Sequence, residues 1–307
     1  MSTAQDVSES PEGRSSLPDR VRLFVGIVRP RVMALVVFTG LPAVLLGQSS
    51  WPSLSKVFWV LMGTALAGAA SSSFNAYFER HADARMARTR KRPLPAALLL
   101  PRIVLLYGVL LTLISGVTLY WVGGAGALAI GVGTIAFYVG IYTLWLKPRT
   151  PQNIVIGGAA GSTAPLIASV AMTGHVTTPA WILFLIIFLW TPPHFWGVAI
   201  HRRAEYEAAG FPMMPSVVGD QGTRWRSLGY TVLLLPVTSL LVVWDYLGWV
   251  YGVSAIVLGL WFLYLVVRAL FEQRTEVDYA VFRGSIIYLS LLFLAIFVDL
   301  ALPLFTA

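Results

Sequence analysis

The chain has 307 residues, 57% of them hydrophobic and only 12% charged, with a mean hydropathy of +0.75. A soluble domain carries about 25% charged residues, so this composition excludes a water-facing surface and makes lipid the main solvent. The net charge of +8 and pI near 9.9 come from loops between apolar runs, where a cytoplasmic membrane face accounts for them and no nucleic-acid partner is implied. With no cysteine, disulfides and thiolate metal sites are excluded.

Residues 1–22, rich in Ser, Glu, Pro and Arg, read as a disordered cytoplasmic tail. The first apolar run comes after about thirty polar residues, which argues against a cleaved signal peptide. One polytopic membrane domain is expected over 23–305. It contains roughly nine apolar stretches near spanning length, at 32–48, 54–78, 101–121, 124–146, 153–172, 179–200, 228–247, 249–271 and 285–304. On this map Lys56 alone of the 22 Lys+Arg falls on the far side. The positive-inside rule then places the N-terminus and the basic loops in the cytoplasm and the C-terminus outside, in a multi-pass cell-membrane protein.

Asn75 lies near the end of the second span and Glu79 and Asp83 just past it, followed by Arg88 and Arg92 before Pro93-Leu94-Pro95. The i, i+4, i+8 spacing puts three oxygen-bearing side chains on one helix face. Magnesium takes oxygen ligands, and guanidinium forks suit phosphate oxygens. Carboxylates, arginines and an apolar bundle together make a site for a lipid diphosphate. An interfacial salt-bridge network would use the same residues.

The fifth span opens at Gln152-Asn153 and continues Gly157-Gly158-Ala-Ala-Gly161-Ser162-Thr163. Small residues favour close helix packing, and Asn153 at the cytoplasmic end is placed to reach a substrate head group. In the sixth span Pro192 and Pro193 are expected to break or kink the helix. His194 beside them is an ionisable group inside a span, either a functional group or a histidine bonded to a freed carbonyl. Beyond it come Arg202, Arg203, Glu205, Tyr206 and Glu207, on the same side of the membrane as the first acidic cluster.

The Asn-x3-acid-x3-Asp segment followed by Met86-x-Arg88-Thr89-x2-Arg92-Pro93-Leu94-Pro95 resembles the UbiA superfamily of intramembrane prenyltransferases. Arg29-Pro30-Arg31-Val32-Met33, Asn153 to Gly158, and Pro192-Pro193-His194-Phe195-Trp196 through Gly210-Phe211-Pro212-Met213-Met214-Pro215 resemble its heme-farnesylating members. The resemblance implies an all-α bundle of about nine transmembrane helices around a central cavity. It implies farnesyl diphosphate and heme b as substrates, Mg2+ as cofactor, and a heme O product passed to a downstream heme-modifying enzyme. It assigns the metal-side catalytic set to Asn75, Glu79, Asp83 and Glu205. Substrate contacts are expected at Arg88, Arg92, Asn153, His194, Arg202 and Tyr206. Two departures stand out: Ala204-Glu205-Tyr206 replaces the usual Asp-Asp-Tyr, and the fifth span runs Ala164-Pro165-Leu166-Ile167 in place of the usual Pro-Pro.

Two other readings fit parts of the pattern. The same fold could take an aromatic or chlorophyllide acceptor. A secondary transporter could also carry interrupted helices, although its charged residues belong near the midplane rather than at one rim.

Overall fold

The structure, a computed structural model, describes residues 17–46, 48 and 51–306. Of the tail assigned to 1–22, residues 1–16 lie outside the described residues, while 17–22 begin helix α1. The helices are α1 (Leu17–Val28), α2 (Pro30–Leu45), α3 (Leu54–Arg85), α4 (Pro101–Ala136), α5 (Asn153–Gly161), α6 (Ala164–Thr173), α7 (Thr178–His201), α8 (Arg203–Ala208), α9 (Met214–Val243), α10 (Trp249–Glu272) and α11 (Thr275–Thr306). A π-helical stretch, Phe137–Leu146, extends α4. The described residues contain no strand.

Seven helical segments among the described residues are long and apolar enough to cross a membrane, and Pro30–Leu45 is a shorter apolar helix. The longest, Pro101–Leu146, covers two of the stretches read from sequence. Gly124 reverses it, with φ 69° and ψ −165°, a backbone state closed to most L-residues. Its two arms then pack on each other: a β-carbon at Gly131 would fall 2.3 Å from Leu119 Cδ1.

Prolines in the first turn start α2, α4, α6, α7 and α9, where the missing N–H has no helical partner to lose. Serine and threonine hydroxyls along the spans mostly bond back into their own helices, as Thr64 to Val60 O (2.8 Å) and Ser73 to Ala69 O (2.9 Å). Such hydroxyls can be buried at membrane depth without stranding a donor. Between helices, Ser115 Oγ donates to Gly63 O (2.8 Å), fixing α4 on α3.

The interior centres on α7 and α11, with Leu183, Ile186, Leu292 and Phe293 fully buried. Outward faces carry Leu106, Leu113, Val117, Ile256 and Leu260, exposed as lipid requires. Two sequence expectations change here. Pro192 and Pro193 sit inside α7, which continues through them to His201 rather than breaking. The helix is packed by α9 and α11, so the N–H bonds that Pro192 and Pro193 cannot give to Phe188 O and Leu189 O do not force it apart. The break falls in the fifth span instead, at Ser162–Thr163, where both hydroxyls bond carbonyls of α5.

Candidate active site

Because α3 runs unbroken to Arg85, Asn75, Glu79 and Asp83 stack along one face of it, and all three are buried. They open on a cavity of about 570 Å³. Its lining also includes Arg29, Arg88, Arg92, Tyr138, Tyr142 and Lys147, with His194, Phe195, Arg202, Tyr206, Tyr279 and Phe282 from α7, α8 and α11.

Each of the three oxygen groups faces a cation. Arg29 Nη2 donates to Asn75 Oδ1 at 2.9 Å, Lys147 Nζ to Glu79 Oε1 at 2.6 Å, and Arg92 Nη1 to Asp83 Oδ2 at 2.8 Å. The amide of Asn75 is turned by its second bond, to Thr143 Oγ1 at 3.4 Å. Arg29 stands at the α1–α2 corner with φ 54°, which aims it inward. Burial, with Arg29 nearby, pulls the Arg92 guanidinium below its ordinary value, and Asp83 partly offsets this. Five cations against two carboxylates leave the lining about three charges positive.

His194 sits in an aromatic frame, stacked on Trp190 at 4.1 Å and tilted against Phe282 at 4.9 Å. Its Nδ1 is 2.7 Å from Ser285 Oγ, which gives its single hydrogen to Phe282 O at 2.7 Å. The tautomer in which Ser285 keeps its bond to Phe282 O has Nδ1 as the donor and the lone pair on Nε2. The partner is a serine, not a freed proline carbonyl.

Of the sequence-derived residues, Asn75, Glu79, Asp83, Arg88, Arg92, His194, Arg202 and Tyr206 meet in this cavity. Glu205 and Asn153 do not line it. Glu205 Oε1 lies 3.6 Å from Arg202 Nη1, while its Oε2 is buried without a partner. Asn153 is fully buried; its amide donates to Thr150 O at 2.6 Å and its Oδ1 has no partner. The second acidic segment nonetheless packs near the first, since Met86 clusters with Ile154, Tyr206, Ala209 and Met213. Lys147, Arg29, Tyr138, Tyr142 and Tyr279 are cavity residues that sequence reasoning did not assign to the site. Lys147 registered only among the basic loop charges, and Arg29 there and in the segment Arg29-Pro30-Arg31-Val32-Met33 that carries the family resemblance.

Oxygen donors with two carboxylates suit a hard divalent cation. Among the described residues no three His, Cys, Asp or Glu side chains gather as a closed metal cage. Glu79 and Asp83, supported by Asn75, therefore fit a cation whose remaining ligands are water and phosphate. The orphaned Glu205 Oε2 is a further oxygen of the right kind.

The profile of the UbiA prenyltransferase family matches residues 36–297. The chain is 40% identical to "Protoheme IX farnesyltransferase" of Symbiobacterium thermophilum, covering 91% of this chain and 94% of that one. It is 43% identical to the proteins of the same name from Alkalilimnicola ehrlichii, over 92% and 93%, and Brucella ovis, over 89% and 88%. A solved structure described as digeranylgeranylglyceryl phosphate synthase superposes with a TM-score of 0.77 at 18% identity, covering 91% of this chain and 98% of that one. A UbiA homolog from Archaeoglobus fulgidus bound to DMAPP and Mg2+ gives 0.62 at 13% identity, over 89% and 98%.

Proposed function

Since the chain belongs to the UbiA prenyltransferase family, we propose that it transfers a farnesyl group from farnesyl diphosphate to a vinyl group of protoheme IX, the route to heme O. The observation that carries this reading is one cavity with two chemically distinct walls. One wall holds Glu79 and Asp83 among Arg29, Arg88, Arg92 and Lys147; the other holds His194, Phe195, Arg202, Tyr206, Tyr279 and Phe282. The relatives named for protoheme IX farnesyl transfer support the acceptor.

The first wall serves the diphosphate. Glu79 and Asp83, supported by Asn75, would hold Mg2+, and Glu205 would add an oxygen from the second segment. When bound, the metal supplies positive charge against the departing diphosphate. Arg88, Arg92 and Lys147, with Arg202 of the other wall, offer donors to its oxygens, which stabilises the leaving group as charge develops on it. The C1–O bond breaks with its electron pair on the diphosphate, and the acceptor's vinyl carbon bonds to C1. Water then adds to the vinyl-derived cation and a proton leaves. Val32, Phe195, Val198 and Phe282 keep stray water from the allylic carbon beforehand. A smaller cavity sharing Val32 and Tyr138 runs toward Gly68 and Thr64 of α3, offering apolar room for the prenyl tail.

On the second wall, flat rings suit a planar macrocycle. The free Nε2 lone pair of His194 suits its iron, a common imidazole ligand role. The charge bias of the basic loops supports a cytoplasmic mouth and N-terminus.

The test is conversion by purified protein of farnesyl diphosphate and heme b, with Mg2+, to a farnesylated, hydroxylated heme identified by mass. Chelation should stop it. Prenylation of an aromatic acid or a chlorophyllide, with heme untouched, would replace the acceptor while keeping the reaction class.

A further inference from the structure

We propose that Lys147 and Arg92 are exchangeable counter-ions that close the carboxylates to a free divalent cation and release them only when a diphosphate arrives. The inference rests on the metal–diphosphate part of the function proposed above and is independent of the acceptor.

One oxygen of each carboxylate is already engaged by a cation. Lys147 Nζ sits 2.6 Å from Glu79 Oε1 and Arg92 Nη1 2.8 Å from Asp83 Oδ2, with Glu79 and Asp83 buried. A bare dication would have to share each acid with a cation already held on its other oxygen, in a lining that is already positive. At buried sites such uncompensated charge is costly. A diphosphate changes the balance. It brings about three negative charges, gives the displaced ammonium and guanidinium new oxygen partners, and leaves Glu79 and Asp83 free to take the metal.

The surroundings of Lys147 suit a short exchange. Its ammonium lies 4.7 Å from the Phe211 ring centroid and 5.8 Å from that of Tyr142. These ring faces hold a cation weakly, so Nζ stays at the cavity when it leaves Glu79. Phe211 belongs to the turn between α8 and α9. The exchange therefore links the first acidic segment to the second through one side chain.

Metal and diphosphate should then bind with strong mutual enhancement, equal in both directions because linkage is reciprocal. The test uses Mn2+ as the metal and inorganic diphosphate as the anion. Protein-retained Mn2+ is measured by equilibrium dialysis and by its electron paramagnetic resonance signal in detergent-solubilised full chain. Wild type should bind Mn2+ about tenfold or more tightly with diphosphate than without. Lys147→Met should bind Mn2+ alone more tightly than wild type and lose most of the enhancement, while Lys147→Arg keeps it. An unchanged thermal unfolding profile serves as the folding control. Equal Mn2+ affinity with and without diphosphate in wild type overturns the proposal, as does weaker binding of Mn2+ alone by Lys147→Met. Folded wild type that retains neither Mn2+ nor diphosphate overturns the underlying site assignment and this inference with it.

Discussion

Arg224 and Asp278, 54 residues apart, form a two-pronged ion pair inside the bundle, with Nε to Oδ1 at 2.9 Å and Nη2 to Oδ2 at 2.6 Å. Both side chains are buried. The pair pins α9 to α11 one residue before Tyr279, which lines the cavity. Removing one partner strands the other's charge, at a cost of about 3–5 kcal/mol, whereas replacing both with apolar groups is often neutral. Arg224→Leu should therefore lower the thermal unfolding midpoint in detergent sharply, and Arg224→Leu with Asp278→Leu should recover most of it. A double variant as unstable as the single one would contradict a charge-burial origin.

The same wall depends on a close backbone approach. A β-carbon at Gly197 would lie 2.6 Å from Asp278 O and 3.0 Å from Phe282 N, both main-chain atoms that cannot step aside. Gly197→Ala should push α7 from α11, cost about 1–3 kcal/mol as overpacking does, and raise KM for the acceptor. Gly229, within α9, faces nothing within 4 Å. Gly229→Ala should leave stability level or slightly raised.

On the proposed function, Glu79 and Asp83 would hold the metal at the first wall. Asp83→Ala should cost on the order of a thousandfold in kcat/KM, about 4 kcal/mol of transition-state stabilisation. The protein should remain inserted and should bind heme normally. Full turnover in that variant at low Mg2+ would remove the residue from the metal site. Arg92→Lys keeps the charge but loses the fork, and should weaken farnesyl diphosphate binding with less effect on the protein's stability.

Much of this was legible in the sequence. The i, i+4, i+8 spacing of Asn75, Glu79 and Asp83 survives in the folded site because α3 carries a continuous helix past its apolar segment. Apolar runs located the spans, and Gly124 marks the turn that separates two of them. What periodicity could not show is pairing across the fold. Lys147 reaches Glu79 from 68 residues away, and nothing local distinguishes it from a topology lysine. The double proline does not break α7 for a related reason: helix propensity is local, but α9 and α11 hold α7 together from outside. Ser285, which orients His194 across 91 residues, left no signal at all.

The His194 assignment makes an optical prediction. With Nδ1 donating to Ser285, Nε2 is free for the acceptor iron. His194→Ala should shift the Soret band of bound heme and weaken its binding. Ser285→Ala, which removes the acceptor for Nδ1–H, should reproduce part of the shift by loosening the ring. An unchanged spectrum in both, with activity lost, would leave His194 as a packing element between Trp190 and Phe282.

Glu205 offers the sharpest contrast, because its neighbour two positions on supplies a built-in control. Glu207 is exposed, and its carboxyl accepts from Arg203 Nε at 2.8 Å. That hydrogen bond holds the Glu207 carboxyl below the usual carboxylate range, but a solvent-exposed pair contributes little to stability. Glu205 shares only a 3.6 Å contact with Arg202 and keeps Oε2 buried with no protein partner. A buried carboxylate oxygen left without a donor is costly, and a metal or a substrate-bound water would relieve that cost. Ala204 beside it offers no second acid, so no neighbour can substitute. Glu205→Gln, which preserves size and removes charge, should therefore reduce kcat by on the order of a thousandfold. Glu207→Gln should stay within about threefold of wild type, since only an exposed pair is lost. Both variants should unfold at the wild-type temperature. Mild, equal effects at 205 and 207 would leave Glu205 as a surface partner of Arg202 and confine the metal to Asn75, Glu79 and Asp83.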